Sequence, residues 1–349
     1  MSVFYPLKVK EVRRETPSSV SVLFEIPSEL KSEFRFKPGQ YVNIRKKIQE
    51  KELRRAYSIC SSLNSGEVRI AIKKVEGGSF SVFANEKLKA GDVLEVTAPE
   101  GRFILEPEQA EDKYVMFAAG SGITPILSML SSLLESKSNS QVVLVYGNQS
   151  LEETMFLENI ETLKKNYPER LALHYVFSRK LSEKHHFGRI SENLLTQILK
   201  EEKINPSVSG IYICGPEGMI DQVNHYLLKH QFSEDQIHIE WFNVTEEKEV
   251  NQNEFKGSAK VKIHLDEEET TFEMRQDETV LGAALAHGVD APYSCQGGIC
   301  SSCLAKVTEG AVKMDNNRIL SDEELAEGLI LTCQAHPITS TVSIDYDDV

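Results

Sequence analysis

Four cysteines carry the sharpest chemical signal in the chain: Cys295, Cys300, Cys303 and Cys333, separated by four, two and twenty-nine residues. Three lie in the loop "CQGGICSSC" and the fourth returns from a separate segment. The x4, x2, then distant spacing is that of a plant-type [2Fe–2S] centre. A paired C-x2-C zinc site would lack the x4 interval. Gly297 and Gly298 let the loop wrap closely and turn backbone N–H groups toward the sulfurs, because glycine tolerates positive φ. Such hydrogen bonds help set the potential of a metal centre. An iron–sulfur cluster moves one electron at a time, so the chain needs an electron source elsewhere.

Other stretches offer groups suited to nucleotides. "GGSFS" (77–81) precedes a predicted helix and supplies exposed N–H groups with the hydroxyls of Ser79 and Ser81, a setting for phosphate. "AAGSGITP" (118–125) ends a predicted strand. Gly120 and Gly122 there permit a tight turn and close approach to a pyrophosphate, and Pro125 suits the first turn of the next helix. Pro125 stands where a full G-x-G-x-x-G would have its third glycine. "VFSRK" and "FGRI" offer Ser178, Arg179 and Arg189; a ribose 2′-phosphate calls for arginine where a free 2′-hydroxyl calls for an acid. The same arginines would also serve as solvated surface residues. His185 and His186, adjacent in sequence, cannot easily face one metal and read as loop residues.

The elements that must position these groups fall into three rhythms. Residues 1–107 carry short strands, among them "YVNI" (41–44), "AYSIC" (56–60), "VRIAIK" (68–73) and "DVLEV" (92–96), separated by turn signals such as "KPGQ" and "KAGD". That pattern predicts a small antiparallel β-barrel. Residues 108–243 alternate strand and helix, with apolar runs at 113–120, 141–148, 171–178, 210–216 and 236–242. An open parallel α/β sheet follows, with ligands at the carboxyl ends of its strands. A polar, aperiodic linker spans 244–257, and residues 258–349 begin with a hairpin and a short helix before the cysteine loop, an α+β module.

Charge separates these segments too. From Val244 onward there are 21 acidic and 8 basic residues, against 32 and 31 in the preceding 243. The imbalance argues against nucleic-acid binding. It serves either the solubility of a small module or docking to a partner with a basic face. Hydrophobic content of 40% and charged content of 26% are ordinary for a globular protein. No run of eighteen apolar residues exists to span a membrane. The N-terminus "MSVFYPLKVK" has no leader-like apolar region, so a cytoplasmic location is expected, where thiols stay reduced.

Together these motifs resemble the ferredoxin–NADP reductase superfamily joined to a C-terminal plant-type ferredoxin domain of β-grasp-like fold. The resemblance starts at "RRAYSICSS", whose Arg55, Tyr57 and Ser58 match the superfamily's flavin motif R-x-Y-S. It implies FAD bound by Arg55, Ala56, Tyr57 and Ser58 and by Gly78, Ser79, Phe80 and Ser81. An arginine can bond the pyrophosphate bidentately, a tyrosine can stack on the flavin, and a serine hydroxyl can reach its edge. Alone, that strand would serve as well in a plain core. The superfamily's G-x-G-x-x-P and C-G-P match Gly120, Ser121, Gly122, Thr124 and Pro125, and Cys214, Gly215 and Pro216. The resemblance places Cys214 beside the nicotinamide and Glu240 of "IEWF" near the flavin, and with Ser58 these are the implied catalytic residues. Cys214 alone would read as a small buried hydrophobe. NADPH is the expected donor, as in relatives with a similar S-R…G-R-I pairing.

The chain most resembles the reductase family that serves phenylacetyl-CoA epoxidase. An oxidoreductase is implied that passes electrons from NADPH through FAD and [2Fe–2S] to an external acceptor. By resemblance that acceptor is a di-iron oxygenase component with a basic docking face. A general reductase for another oxygenase or desaturase is the alternative, and a redox carrier or sensor without turnover is the alternative of another class.

Overall fold

The computed structural model describes residues 3–48, 51–105, 112–136, 139–180, 185–242 and 257–349. Two compact units emerge, one formed by the barrel and the α/β layers, the other by the C-terminal domain, with which Val3 and Arg54–Ala56 group. The linker expected at 244–257 lies, apart from its last residue, outside the described residues.

The barrel is built from β1 (Phe4–Thr16), β2 (Ser19–Glu25), β3 (Tyr41–Ile48), β4 (Lys51–Ser58), β5 (Arg69–Lys73) and β6 (Val93–Thr97), with α1 (Ser79–Glu86) between the last two strands. Their order is β4-β3-β6-β1-β2-β5, and a bridge between Ile59 and Ile70 joins the two ends. Alternating inward residues such as Leu7, Val9, Ile44, Ile70 and Ile72 fill the interior. The charge–apolar alternation of the N-terminus is β1, the longest strand among the described residues. Lys8 and Lys10 face outward while Leu7 and Val9 are buried, the period-two pattern of a half-buried strand.

The second layer contains β7 (Lys113–Ala119), α2 (Ile123–Glu135), β8 (Gln141–Asn148), α3 (Leu157–Asn166), β9 (Leu171–Phe177), β10 (His186–Phe187), α4 (Glu192–Glu201), β11 (Gly210–Gly215), α5 (Glu217–Lys229) and β12 (Ile237–Trp241). All six strands run parallel in the order β10-β9-β8-β7-β11-β12. Strands buried on both faces need continuous apolar runs, which is what Tyr114–Ala118 and Val142–Tyr146 are. The order reverses between β7 and β11, so a crevice for ligands opens at their carboxyl ends.

The C-terminal domain comprises β13 (Ser258–Leu265), β14 (Glu268–Arg275), α6 (Val280–Ala286), β15 (Leu304–Glu309), β16 (Val312–Met314), α7 (Asp322–Ala326), β17 (Leu329–Leu331), β18 (Ala335–Pro337) and β19 (Thr341–Asp345). Its main sheet has the mixed order β14-β13-β19-β15-β17, with β13 and β19 parallel. The expected hairpin is β13–β14, paired from Ser258↔Arg275 to Leu265↔Glu268. Val261, Ile263, Leu281, Ala284, Val342 and Ile344 form its core. The barrel, parallel α/β layer and β-grasp-like domain are thus the expected architecture. Among the described residues no helix is long and apolar enough to cross a membrane.

Candidate active site and cluster loop

At the switch point, the turn Gly120–Gly122 follows β7, while Cys214 and Gly215 close β11 and Pro216 follows, so the two glycine motifs lie side by side. Gly120 has φ +55°, the left-handed conformation that turns the chain out of the strand. Gly122 has an ordinary helical φ, and its reason is different from the expected approach to a pyrophosphate. A Cβ there would collide with the Cys214 carbonyl, so the residue is glycine to let the turn lie on the end of β11. Tyr146 Oη donates to Gly120 O at 3.1 Å, and Thr124 Oγ1 donates to Ser121 O at 3.0 Å, holding the turn from both sides.

The three residues expected to be catalytic come together although they are far apart in sequence. Ser58, buried at the end of β4, donates its hydroxyl to Glu240 Oε2 at 3.3 Å. Glu240 on β12 is the register partner of Cys214 on β11. Burial, and then the nearby Glu240 carboxylate, raise the Cys214 thiol well above its ordinary pKa. It is therefore a neutral thiol and no nucleophile.

On the same strand as Ser58, Tyr57 is half-buried, with its ring 5.7 Å from that of Phe80, and Arg55 is exposed. Phe80 belongs to the first turn of α1, whose N-cap is Gly78. Ser79 is exposed at the start of that helix. Ser81, expected to face phosphate, is buried instead, and its hydroxyl accepts from the Val75 N–H at 3.2 Å. It shapes the loop that presents the helix end. Lys73 was not anticipated from sequence: its Nζ lies 3.7 Å from where a Cβ of Gly120 would stand. A lysine closing an apolar strand just before "GGSFS" was the available signal.

Three helix ends of the first unit fit anionic ligands. α1, α2 and α5, which begin after Gly78, Gly122 and Pro216, have no side-chain cap; nor does α3, away from these motifs. By contrast Ser191, Thr279 and Ser321 cap α4, α6 and α7 with their hydroxyls. Uncapped N-termini keep their N–H groups and positive dipole ends for a phosphate. Further along the same sheet edge, Ser178 N donates to Asn148 O at 2.9 Å and Gly188 N donates to Phe177 O at 2.9 Å. These bonds bring Ser178, Arg179 and Arg189 to the carboxyl ends of β8–β10, with both arginines exposed. His186, expected in a loop, lies in β10, and its Nε2 is 3.3 Å from His174 Nδ1.

In the C-terminal domain the four cysteines converge as thiols without disulfides. Cys295 N donates to Cys300 Sγ at 3.4 Å and Gly297 N to Cys295 Sγ at 3.3 Å. The hydrogen bond from the Cys300 thiol, helped by the Gly297 and Ile299 N–H groups, lowers Cys295 to about 7. Cys333 is lowered likewise, chiefly by the Cys303 thiol. Cys295 and Cys300, and likewise Cys303 and Cys333, thus lie within hydrogen-bonding reach of each other, as soft ligands crowded into one nest do. The hydroxyl of Ser294, beside Cys295, is buried without a hydrogen-bond partner among the described residues. Four converging sulfurs ringed by N–H donors fit an iron–sulfur cluster.

Three family models match this chain: an oxidoreductase FAD-binding domain over residues 6–104, an oxidoreductase NAD-binding domain over 116–225, and a 2Fe-2S iron-sulfur cluster binding domain over 263–337. The chain belongs to the ferredoxin–NADP reductase-like flavin oxidoreductases that carry a plant-type [2Fe–2S] domain. Within that class it is similar to one of the subunits of 1,2-phenylacetyl-CoA epoxidase from Escherichia coli, 38% identical with 99% of each chain covered. It is also similar to the ferredoxin reductase component of 3-ketosteroid-9-alpha-monooxygenase from Rhodococcus rhodochrous, 31% identical over 97% of this chain and 96% of the relative. Among solved structures, phthalate dioxygenase reductase shares the fold, with a TM-score of 0.62, 22% identity and 98% of both chains covered.

Proposed function

We propose that the chain is the NADPH-oxidising component of a multicomponent oxygenase, delivering electrons to a di-iron partner of the phenylacetyl-CoA epoxidase type. Its domains would span 1–107 for FAD, 108–243 for the nicotinamide nucleotide and 258–349 for the cluster. The observation that carries this reading is the convergence of Ser58, Glu240 and Cys214 in a chain that also holds the four-thiol nest. Bound FAD and [2Fe–2S] would supply the conversion of a two-electron donor into single electrons.

The chain's own residues bind, orient and hold protons. Tyr57 and Phe80 give an aromatic platform, and Arg55 with the uncapped start of α1 answers the FAD pyrophosphate. Gly120–Thr124 and the start of α5 answer the pyridine nucleotide, while Ser178, Arg179 and Arg189 answer a 2′-phosphate. The Ser58 hydroxyl carries a proton that Glu240 accepts, a donor kept in place at the expected flavin edge. Cys214 offers a small, neutral, polarisable surface to the nicotinamide. Cys295, Cys300, Cys303 and Cys333 hold the cluster. The acidic C-terminal module suits a basic-faced partner, and six cysteines outside any disulfide suit the cytoplasm.

The test is optical and then functional. NADPH should bleach both the flavin bands and the broad iron–sulfur absorption of the purified protein, and a phenylacetyl-CoA epoxidase oxygenase component should accelerate NADPH consumption. Bleaching by NADH alone overturns the donor assignment. Absence of bleaching by either nucleotide favours the carrier reading. The likeness to the ketosteroid monooxygenase component supports a second reading, a reductase for a different oxygenase. That reading wins if only such a partner draws electrons.

A further inference from the structure

The three carbonyls that follow Cys295 are each taken by a donor from outside the loop. Gln334 Nε2 donates to Gln296 O at 2.8 Å, Asn316 Nδ2 donates to Gly297 O at 3.1 Å, and the Arg318 N–H donates to Gly298 O at 3.4 Å. Gln334 Nε2 also bonds to Cys333 O at 3.1 Å and lies 3.9 Å from the Cys333 sulfur. A run of peptide carbonyls turned outward leaves the N–H groups of the same stretch turned inward. Gly297 N donates to Cys295 Sγ at 3.3 Å and Cys295 N to Cys300 Sγ at 3.4 Å.

This arrangement does not hold itself. Gln296 sits at φ +55°, a left-handed conformation unfavourable for a residue with a side chain. Gly298, at φ +74°, lies so close to its neighbours that a Cβ there would stand 2.7 Å from Asn316 O and 3.1 Å from Gln334 Cγ. The loop is therefore fitted against the same two residues whose amides bind its carbonyls.

We propose that Asn316 and Gln334 are positioning residues that clamp the cysteine loop from outside, keep its N–H groups on the sulfurs, and thereby raise the reduction potential of the cluster and slow its loss. Reduction adds a negative charge to the cluster, and N–H dipoles aimed at the sulfurs stabilise that charge more than the oxidised form. Releasing the carbonyls lets the peptides rotate, which weakens the N–H···S bonds and disfavours reduction. The inference rests on the cluster being held by Cys295, Cys300, Cys303 and Cys333.

The experiment is a redox titration of the full-length protein, monitored by the electron paramagnetic resonance signal of the reduced cluster. Gln334→Met keeps the side-chain length without a donor, Asn316→Ser shortens the second clamp, and the double variant removes both. Each single variant should shift the midpoint to more negative potential. The double variant should approach a tenfold change in the reduction equilibrium, ~59 mV for one electron. The visible absorption of the oxidised cluster should decay several-fold faster under a chelator. Cluster-loaded variants that titrate at the wild-type midpoint, or shift positive, overturn the proposal even if they lose iron faster. If Gln334→Met takes up no cluster, the midpoint of Asn316→Ser alone decides. A wild-type protein without the signal would instead overturn the ligand assignment beneath it.

Discussion

The two units of this molecule prepare for negative charge by different means. In the barrel–α/β unit the donors are helix N-termini left uncapped at Gly78, Gly122 and Pro216, with arginines and serines gathered from separate strands. In the C-terminal domain the donors belong to one short loop, whose N–H groups point at sulfur because its carbonyls are engaged elsewhere. A helix fixes the direction of its own N–H groups through its internal hydrogen bonds, so a phosphate site there needs little beyond a glycine. A loop has no such ladder and must borrow rigidity from its neighbours. Diffuse anchoring spreads the cost of losing any one group, whereas the compact site concentrates it.

The largest expected effect follows from that concentration. Cys303→Ser or Cys333→Ser removes a buried ligand from a four-sulfur nest and should abolish cluster binding. Iron per chain should fall to zero and the broad visible absorption should vanish, while flavin content stays at the wild-type level. Loss of flavin along with the iron would break the comparison, because it would mean that the two sites depend on each other.

Next in size is a backbone effect in the first unit. Gly122→Ala pushes a methyl group against the Cys214 carbonyl, where only main-chain movement can make room. Overpacking of this kind costs about 1–3 kcal/mol, and rigid backbone on both sides argues for the upper end. Gly218→Ala is the control: it lies in α5 with open space around its Cβ position, so it should gain about 0.5–1 kcal/mol. Thermal unfolding of both variants checks the pair. Equal and small effects would show that β7 and β11 do not need their close approach.

The same contrast explains what was legible in the sequence. Cys295, Cys300 and Cys303 are local, so their spacing alone named the cluster and required a fourth ligand. The α/β strands were legible because burial on both faces demands unbroken apolar runs such as 113–120. Ser58, Glu240 and Cys214 meet only through strand register, which no spacing records, and the family motifs alone pointed to them. Gly122 was read as a phosphate glycine because a sequence shows a missing side chain but not what would occupy its place. Ser81 reads from sequence as a hydroxyl beside glycines that suits phosphate; that it also accepts from the backbone of Val75 is a contact no spacing records. The clamps Asn316 and Gln334 left no signal at all, since an amide that holds a loop looks like any polar surface residue.

Diffuse anchoring predicts a graded response at the nucleotide edge. Arg179→Gln and Arg189→Gln should each raise KM for NADPH about tenfold, ~1.4 kcal/mol, a modest figure because both side chains are exposed and solvent screens them. KM for NADH should scarcely move, and the double variant should come close to additive. Steady-state kinetics with both nucleotides decides the matter. An equal loss with NADH would assign the arginines to the part of the nucleotide that both donors share.

The smallest effect is a dependence on pH carried by two histidines of the first unit. Burial, and then the neighbouring His174 with which it shares a 3.3 Å contact, lower the pKa of His186, while Glu201 opposes them and His185 adds to them. Burial also lowers His238, stacked on Tyr212 with ring centroids 4.7 Å apart. A base whose folded pKa is depressed takes its proton more readily in the unfolded chain. The stability it permits is therefore present above the unfolded value of about 6.5 and is lost as pH falls below it. The melting temperature of the barrel–α/β unit, followed by flavin release, should decline as pH falls from about 7.5 to about 5.5, the range around that unfolded value. His186→Gln, which cannot take up the proton, should flatten part of that decline. An unchanged slope in that variant would move the pH sensitivity to His238 or to the carboxylates. An equal decline in cluster absorption would show that the two units do not differ in this respect.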